Sequence, residues 1–340
     1  MAAAVVGGRA EILSSVVHGQ SELHGPYGGV VPELASRDHA RTVSRVVAAA
    51  LEGAGVRPEE LGGIAVTAGP GLVGSLLVGL SFGKALAYQL GLPVVGVHHL
   101  EGHLASAELA EPSLRPPYVG LVISGGHTAL YRVEAEAPPR LLGDTRDDAV
   151  GEAFDKVARL LGLGYPGGPS VSRAAAAGDA AAIDFPRPMV AKEGFDFSYS
   201  GLKTAVALEV ERRGQPLDEP EVADLAASFE AAAIAPLVAK ARAALRHENL
   251  AGLAVVGGVA ANQRLRAEMA RVAEQDGFRA VFPPLELCTD NAAMIAAAGA
   301  RLLERGEAHG LDLNSFSRVP IGTAPWTSPA ASECGDARPQ

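Results

Sequence analysis

Two stretches of this chain repeat one pattern, a strand, a glycine-containing turn and a second strand. The first covers residues 5–13, the second covers residues 118–134, and alternating helices and strands follow each of them. Strands that alternate with amphipathic helices are typical of α/β proteins. The repeat therefore predicts two similar lobes, each a mixed sheet flanked by helices and each opening with a β-hairpin.

The spacing of apolar residues predicts the remaining elements. We expect strands at 63–68, 92–98 and 253–256, and helices at 41–53, 75–89, 150–163, 220–246 and 291–305. The first lobe is predicted to comprise residues 1–112 and 290–320, and the second lobe residues 113–289. Residues 324–340 are rich in Pro, Ser and Ala and are predicted to form a disordered tail.

The two predicted lobes differ at their amino-terminal ends. In the second lobe an apolar strand runs into Ser124-Gly125-Gly126 before the outgoing strand at 129–133. In the first lobe only the outgoing strand, near residues 2–6, is present. We therefore expect the first lobe to lack an incoming strand and its phosphate-binding turn.

Composition narrows the class of protein. The chain has 340 residues, 48% of them hydrophobic, a formal net charge of −10 and only two cysteines. Two cysteines give no disulfide framework, the opening residues do not resemble a signal peptide, and no apolar run approaches the roughly 20 uncharged residues of a membrane span. We expect a cytoplasmic protein with no membrane partner. Because basic residues supply most nucleic-acid affinity, an acidic chain acting on nucleic acid should need a partner.

The segment His99-Leu100-Glu101-Gly102-His103 carries a histidine pair where a predicted strand meets a helix. Residues four apart lie on one helix face, about 5–6 Å apart at Cβ, so both imidazoles can bind one metal ion. Asp290, before the last helix, can complete a His-His-Asp metal site or serve as an N-cap. Cys288 is either a softer ligand or a buried structural thiol.

Three further segments can build a nucleotide site. Backbone N–H groups of residues 124–128 can hold a phosphate oxyanion, or the segment is an ordinary hairpin turn. Asn262, after a buried strand, can bond an adenosine or cap the following helix. Asp155 can bond ribose hydroxyls or pair with Arg159 one turn later. The Gly-Tyr-Pro-Gly-Gly-Pro segment at 164–169 can line a nucleoside pocket or make a tight turn.

Seven motifs, taken in order, resemble a single family. They lie at 28–39, 99–103, 123–128, 164–169, 196–203, 257–262 and 288–291. The resemblance is to the tRNA N6-adenosine threonylcarbamoyltransferase (TsaD) family, which is related to the catalytic subunit of the KEOPS complex and was formerly described as O-sialoglycoprotein endopeptidase. It implies the two-lobed ATPase fold of actin, heat-shock chaperones and sugar kinases.

The resemblance also implies roles for individual residues. His99, His103 and Asp290 would bind one Fe2+ per subunit, although zinc accepts the same ligands. The substrate would contact Val122, Ile123, Ser124, Gly125, Gly126, Asp155, Gly168 and Asn262. The general base is not identifiable from the sequence, and His39 and His127 are the candidates.

The implied reaction moves a threonylcarbamoyl group from threonylcarbamoyl-AMP to N6 of adenosine 37 in tRNAs that read ANN codons. The implied partners are the tRNA, a dimerising TsaB-like paralogue and a small TsaE-like ATPase. The family opens with a strand and an acidic loop that this chain lacks. A misassigned start codon is the expected cause, and the chain at its present length is expected to have weak or absent activity.

Two other functions remain open from the sequence, a metal-dependent glycoprotein endopeptidase and an inactive nucleotide-binding scaffold. Proteases with two helical histidines place the catalytic Glu directly after the first histidine. At about 100° per residue, Glu101 points about 200° from His99, away from the metal that His99 and His103 would share. An inactive scaffold is expected to lose the histidines, and this chain keeps both together with Asp290.

Overall fold

The computed structural model describes residues 1–8, 10–27, 29–214, 216–323 and 326, and omits the side chain of Ser21. The strands are β1 (Ala2–Gly7), β2 (Glu11–Val17), β3 (Ile64–Gly69), β4 (Val94–His98), β5 (Tyr118–Ile123), β6 (Thr128–Val133), β7 (Arg140–Asp144), β8 (Gly252–Val256) and β9 (Arg279–Val281). The helices are α1 (Ser21–His24), α2 (Pro32–Ala54), α3 (Val73–Leu90), α4 (His99–Ala110), α5 (Val150–Leu160), α6 (Gly167–Ala175), α7 (Ser200–Arg213), α8 (Glu219–Glu248), α9 (Gln263–Asp276), α10 (Leu285–Cys288) and α11 (Ala292–Glu304).

The chain divides into two compact units. The first unit comprises Met1–Leu109 and Asn291–Gln340, and the second comprises Ala110–Asp290. Each unit is an α/β assembly in which helices flank the strands.

The second unit contains one mixed sheet of five strands in the order β7-β6-β5-β8-β9. The pairs β5–β6 and β6–β7 are antiparallel, whereas β5–β8 and β8–β9 are parallel. Every residue of β5 is buried, as expected for a central strand with an uninterrupted apolar sequence. The long helix α8 packs against β5, β6 and β8, and its inner face forms much of the unit's core.

The first unit contains two separate two-stranded sheets rather than the single mixed sheet that we expected. β1 and β2 pair antiparallel, and β3 and β4 pair parallel. Helix α11 packs against all four strands, while α2 covers the β1–β2 pair and α3 covers the β3–β4 pair. The two pairs therefore share one layer, but among the described residues no ladder joins β1 to β3. β1 is only half-buried, unlike the central strand β5.

Most predicted elements are confirmed, with shifted ends. Helix α2 begins at Pro32 rather than at residue 41, because proline suits the first helical position and Glu33 favours the first turn. Helix α5 ends at Leu160 because the chain then turns at Gly162, which has a φ of +69°. The sequence analysis missed β7, β9, α1, α6, α7 and α10.

Among the described residues, two helices, α3 and α8, are long and apolar enough to cross a membrane by length and composition. Lys84 interrupts the apolar residues of α3, and a single charge does not exclude a span. In α8, 72% of the apolar stretch is buried inside its unit, as in a core helix of a globular protein; in α3 only 17% is buried. Helices of this kind are weak evidence of a membrane protein.

The predicted disordered tail lies outside the described residues, with one exception. Trp326 is only 3% exposed and packs in an apolar cluster with Val66, Leu80 and Leu313. The expectation of disorder is therefore wrong for this residue, because its large indole ring fills the first unit's core.

Candidate functional site

The histidine pair begins directly at the end of a strand. His99 is the first residue of α4, and the rings of His99 and His103 meet edge to face with centroids 4.8 Å apart. Ligand atoms of His99, His103 and Asp290 all lie within 4.8 Å of one another. Two ligand atoms that share one ion in tetrahedral geometry lie roughly 3.4 Å apart. A small side-chain rotation therefore suffices for all three to bind one cation.

Close packing of α4 and α11 fixes the backbone around these ligands. A Cβ built on Gly102 would lie 2.7 Å from Ile295 Cδ1, so the two helices approach closely at this point. Asn291 caps α11, since its Oδ1 accepts the Met294 N–H at 2.9 Å. The alternative that Asp290 is the N-cap is therefore wrong. Asp290 precedes the cap and is exposed.

Two neighbouring groups do not join the ligand set. Cys288 is buried, and its Sγ lies 3.4 Å from the Pro283 carbonyl oxygen and from the Arg266 guanidinium. Burial raises the pKa of the Cys288 thiol, which fits a structural thiol. Burial also raises the pKa of Glu101 to about 7, although Arg301 lowers it in part. Among the described residues, the candidate ligand group contains neither Cys288 nor Glu101.

The glycine turn, residues 124–127, lies against the start of α5. Thr128 Oγ1 accepts the Val150 N–H at 2.8 Å. A Cβ on Gly151 would lie 2.5 Å from the Ser124 carbonyl oxygen, so glycine is required where α5 meets the turn. A Cβ on Gly125 or Gly126 would meet no atom within 4 Å, so the turn's backbone faces open space.

Helix α5 contacts the start of α6 through Asp155. Its Oδ1 accepts the Gly167 N–H at 2.8 Å, and a Cβ on Gly167 would lie 2.5 Å from Asp155 Cα. Burial raises the pKa of Asp155, while the Gly167 hydrogen bond and the nearby Arg159 charge lower it in part. Gly168 faces open space. The first turn of α6 is thus open to a ligand beside a carboxylate.

Helix α6 in turn contacts the start of α9. Asn262 caps α9 by accepting the Leu265 N–H at 2.8 Å, which confirms the capping alternative. Its Nδ2 donates to Glu230 Oε1 at 2.7 Å and to Ser172 Oγ at 3.1 Å. Ser172 Oγ also donates to Glu230 Oε1 at 2.6 Å. The sequence analysis missed Ser172 and Glu230; the helical spacing of Ser172 from Gly168 was the available signal.

Gly257, the residue after β8, packs against the end of β5. Its φ is +95°, and a Cβ there would lie 2.4 Å from the Ile123 carbonyl oxygen. Val122 and Ile123 are fully buried, so only their backbone groups can face a ligand. The predicted substrate residues, from the glycine turn to Asn262, therefore lie along one continuous series of contacts in the second unit. Their contact with substrate remains a prediction.

The two candidate general bases lie in different surroundings. His39 is on α2, where its Nδ1 lies 3.1 Å from Gln20 Nε2, and Gln20 also donates to Asp38 at 2.6 Å. Burial lowers the pKa of His39. His127 ends the glycine turn, and its charge acts on Asp144.

The strands and glycine turn give an α/β protein with a candidate nucleotide site, and the His-His-Asp group adds a candidate metal site. Residues 11–297 match the family model described as tRNA N6-adenosine threonylcarbamoyltransferase. A protein of that name from Anaeromyxobacter dehalogenans strain 2CP-C is 55% identical over 315 residues, covering 92% of this chain and 94% of the relative. One from Syntrophotalea carbinolica is 49% identical, covering 96% and 95%. The chain belongs to the tRNA N6-adenosine threonylcarbamoyltransferase family.

Similarity to solved structures gives support for the fold alone. The crystal structure of HypF from T. kodakarensis has a TM-score of 0.60 at 17% identity, covering 77% of this chain and 43% of HypF. Component A of (R)-2-hydroxyglutaryl-CoA dehydratase from Acidaminococcus fermentans has a TM-score of 0.50 at 15% identity, covering 89% and 93%. Both similarities support a mixed α/β fold with helices flanking the sheets.

Proposed function

We propose that this protein transfers a threonylcarbamoyl group from threonylcarbamoyl-AMP to N6 of adenosine 37 in tRNAs that read ANN codons. The match of residues 11–297 to the family model is the observation that carries the proposal. Relatives that bear the transferase name and cover nearly the whole chain support it. The acidic net charge of −10 suits an enzyme that binds tRNA together with a partner.

A divalent metal ion fits the His-His-Asp group. His99, His103 and Asp290 would hold it, and two imidazoles with one carboxylate suit Fe2+ as well as zinc. When bound, such an ion acts as a Lewis acid on carbonyl and phosphate oxygens. We propose Fe2+, one ion per subunit.

In the second unit, the open glycine turn would hold the phosphate of the adenylate through backbone N–H groups. Asp155 uses Oδ1 for Gly167, which leaves Oδ2 to accept a ligand hydroxyl. Gly168 leaves room for the ligand at the start of α6. Either His39 or His127 would take the proton from the attacking amine.

The alternative functions have weaker support. The peptidase needs a carboxylate beside the metal, and Glu101 lies outside the described ligand group. An inactive scaffold has no need of a preserved His-His-Asp group. No observation on this chain favours either function over the transferase.

The fold would be the two-lobed ATPase architecture, with the two compact units as its lobes. We propose that one further strand fits between β1 and β3 in the first unit. Its counterpart in the second unit is β5, which pairs antiparallel with β6 on one side and parallel with β8 on the other. A strand between β1 and β3 would complete the same mixed order.

The partners would be the tRNA, a TsaB-like paralogue and a TsaE-like ATPase, all in the cytoplasm. We propose α3 as the surface for the paralogue. This helix is apolar and mostly unburied; Leu72, which precedes it, and Val73, Leu77 and Tyr88 within it are exposed. Leu72, Val73 and Leu77 lie within about one turn of one another at its start, and grouped exposed apolar residues mark interaction surfaces.

Reconstitution tests the proposed activity. The protein, both partners, threonylcarbamoyl-AMP and unmodified tRNA are incubated together, and the tRNA nucleosides are then analysed by mass spectrometry. We expect threonylcarbamoyladenosine with the wild type and with His247→Ala, since His247 is exposed and distant in sequence from the site. Formation of as much of the nucleoside without this protein as with it would contradict the proposal.

A further inference from the structure

Glu230 places a carboxylate on the buried, mostly apolar face of α8. Only 6% of the residue is exposed, and its neighbours Phe229 and Ala232 are at most 2% exposed. The ion pairs among the described residues do not include Glu230, so no cation compensates its charge. A buried, uncompensated carboxylate destabilises a fold, and such groups are common at functional sites.

The two oxygens of this carboxylate have different surroundings. Oε1 accepts hydrogen bonds from Ser172 Oγ at 2.6 Å and from Asn262 Nδ2 at 2.7 Å. Oε2 accepts no hydrogen bond from any described residue, yet it is not among the buried polar atoms that lack a partner. Oε2 is therefore an acceptor that solvent, or a ligand, can reach.

The amide of Asn262 has no donor left for a ligand. An amide nitrogen carries two hydrogens. One is donated to Glu230 and the other to Ser172, while Oδ1 caps α9 through Leu265. A ligand at this point can therefore donate a hydrogen bond to Glu230, whereas Asn262 has no N–H left to donate to the ligand.

This network lies beside the open end of the nucleotide site. Ser172 is one helical turn after Gly168, and Asn262 ends the 3₁₀ turn that begins at Gly258. A Cβ on Gly168 or Gly258 would meet no atom within 4 Å. The groups that bind the Glu230 carboxylate therefore lie close in sequence to Gly168 and Gly258, where the backbone faces open space.

We propose that Glu230 accepts a hydrogen bond from a ribose hydroxyl of the bound nucleotide, with Ser172 and Asn262 holding its carboxylate in place. Carboxylates commonly bind ribose hydroxyls, since an ionised carboxylate only accepts hydrogen bonds. The inference rests on the proposed function, which supplies an adenylate ligand. It assigns Glu230 a role in choosing ribonucleotides over deoxyribonucleotides.

Calorimetric titration of the full-length protein with AMP, 2′-deoxy-AMP and 3′-deoxy-AMP tests this proposal. For the wild type, removal of one of the two hydroxyls should weaken binding by about tenfold or more, as expected for a hydrogen bond to a charged group. In Glu230→Gln the same comparison should give less than about a threefold difference. Glu219→Gln, an exposed residue of the same helix, should keep the wild-type ratio.

Circular dichroism reports whether Glu230→Gln still folds. If it does not, Ser172→Ala is used: it keeps the carboxylate but removes one of the two groups that hold it, so the preference for the hydroxyl should fall. An unchanged preference in folded Glu230→Gln, or in folded Ser172→Ala where Glu230→Gln does not fold, would overturn the inference. If wild-type protein binds AMP with no preference, the inference fails while the transferase assay stands independently. If it does not bind AMP, the proposed nucleotide site fails as well.

Discussion

Arg301 on α11 and Glu108 on α4 form an ion pair whose side chains are 17% and 11% exposed. The pair ties together the two helices next to the candidate metal ligands. Removing one partner of a largely buried pair leaves the other charge without compensation. Glu108→Gln should therefore lower the free energy of unfolding by about 2 kcal/mol, measured by urea denaturation.

An exposed ion pair provides the control for that change. Glu33 and Arg37 on α2 are 82% and 71% exposed. Glu33→Gln should change the free energy of unfolding by less than about 0.5 kcal/mol. Equal effects of the two substitutions would show that the Glu108–Arg301 pair contributes no more than a surface pair.

Gly299 sets the distance between α11 and the strands of the first unit. A Cβ there would lie 2.3 Å from Ala65 Cβ on β3, a contact that only a backbone shift can relieve. Gly299→Ala should destabilise the protein by about 1–3 kcal/mol. Gly79→Ala, in α3 with nothing within 4 Å of its Cβ position, should stabilise it by about 0.5–1 kcal/mol. Denaturation curves that move in the same direction for both variants would refute this account.

Asp147 holds the start of α7 in a pH-dependent manner. Burial alone would raise its pKa, but hydrogen bonds from Ser198, Tyr199 and Ser200 outweigh burial and lower the pKa to about 2. The folded-state pKa is below the ordinary value of 3.8, so this carboxylate's contribution to stability is present above pH 3.8 and is lost as the pH falls towards 2.

Asp147→Asn should therefore destabilise the protein at neutral pH by about 1 kcal/mol and make its stability less steep between pH 4 and pH 2. Thermal unfolding followed by circular dichroism across that range gives the comparison. Asp184→Asn, an exposed aspartate, should keep the wild-type slope. A slope for Asp147→Asn identical to that of the wild type would contradict the assigned role.

Local patterns in the sequence predicted most strands and helices, because apolar spacing and glycines act over a few residues. They did not show that the first unit has two sheets, since ladder pairing joins residues far apart in the chain. The same limit applies to the candidate site. The spacing of His99 and His103 could be recognised because both residues lie on one helix. The hydrogen bonds from Ser172 and Asn262 to Glu230 instead join residues of separate elements that are far apart in the sequence.

Metal content tests the central claim about the His-His-Asp group most directly. Protein purified after loading with Fe2+ is measured by elemental mass spectrometry, for the wild type and for His103→Ala, with exposed His247→Ala as the control. The account predicts about one ion per chain in the wild type and in the control, and less than about a tenth of that in His103→Ala, since a lost ligand weakens the site severely. A folded His103→Ala protein that keeps the wild-type metal content would contradict it.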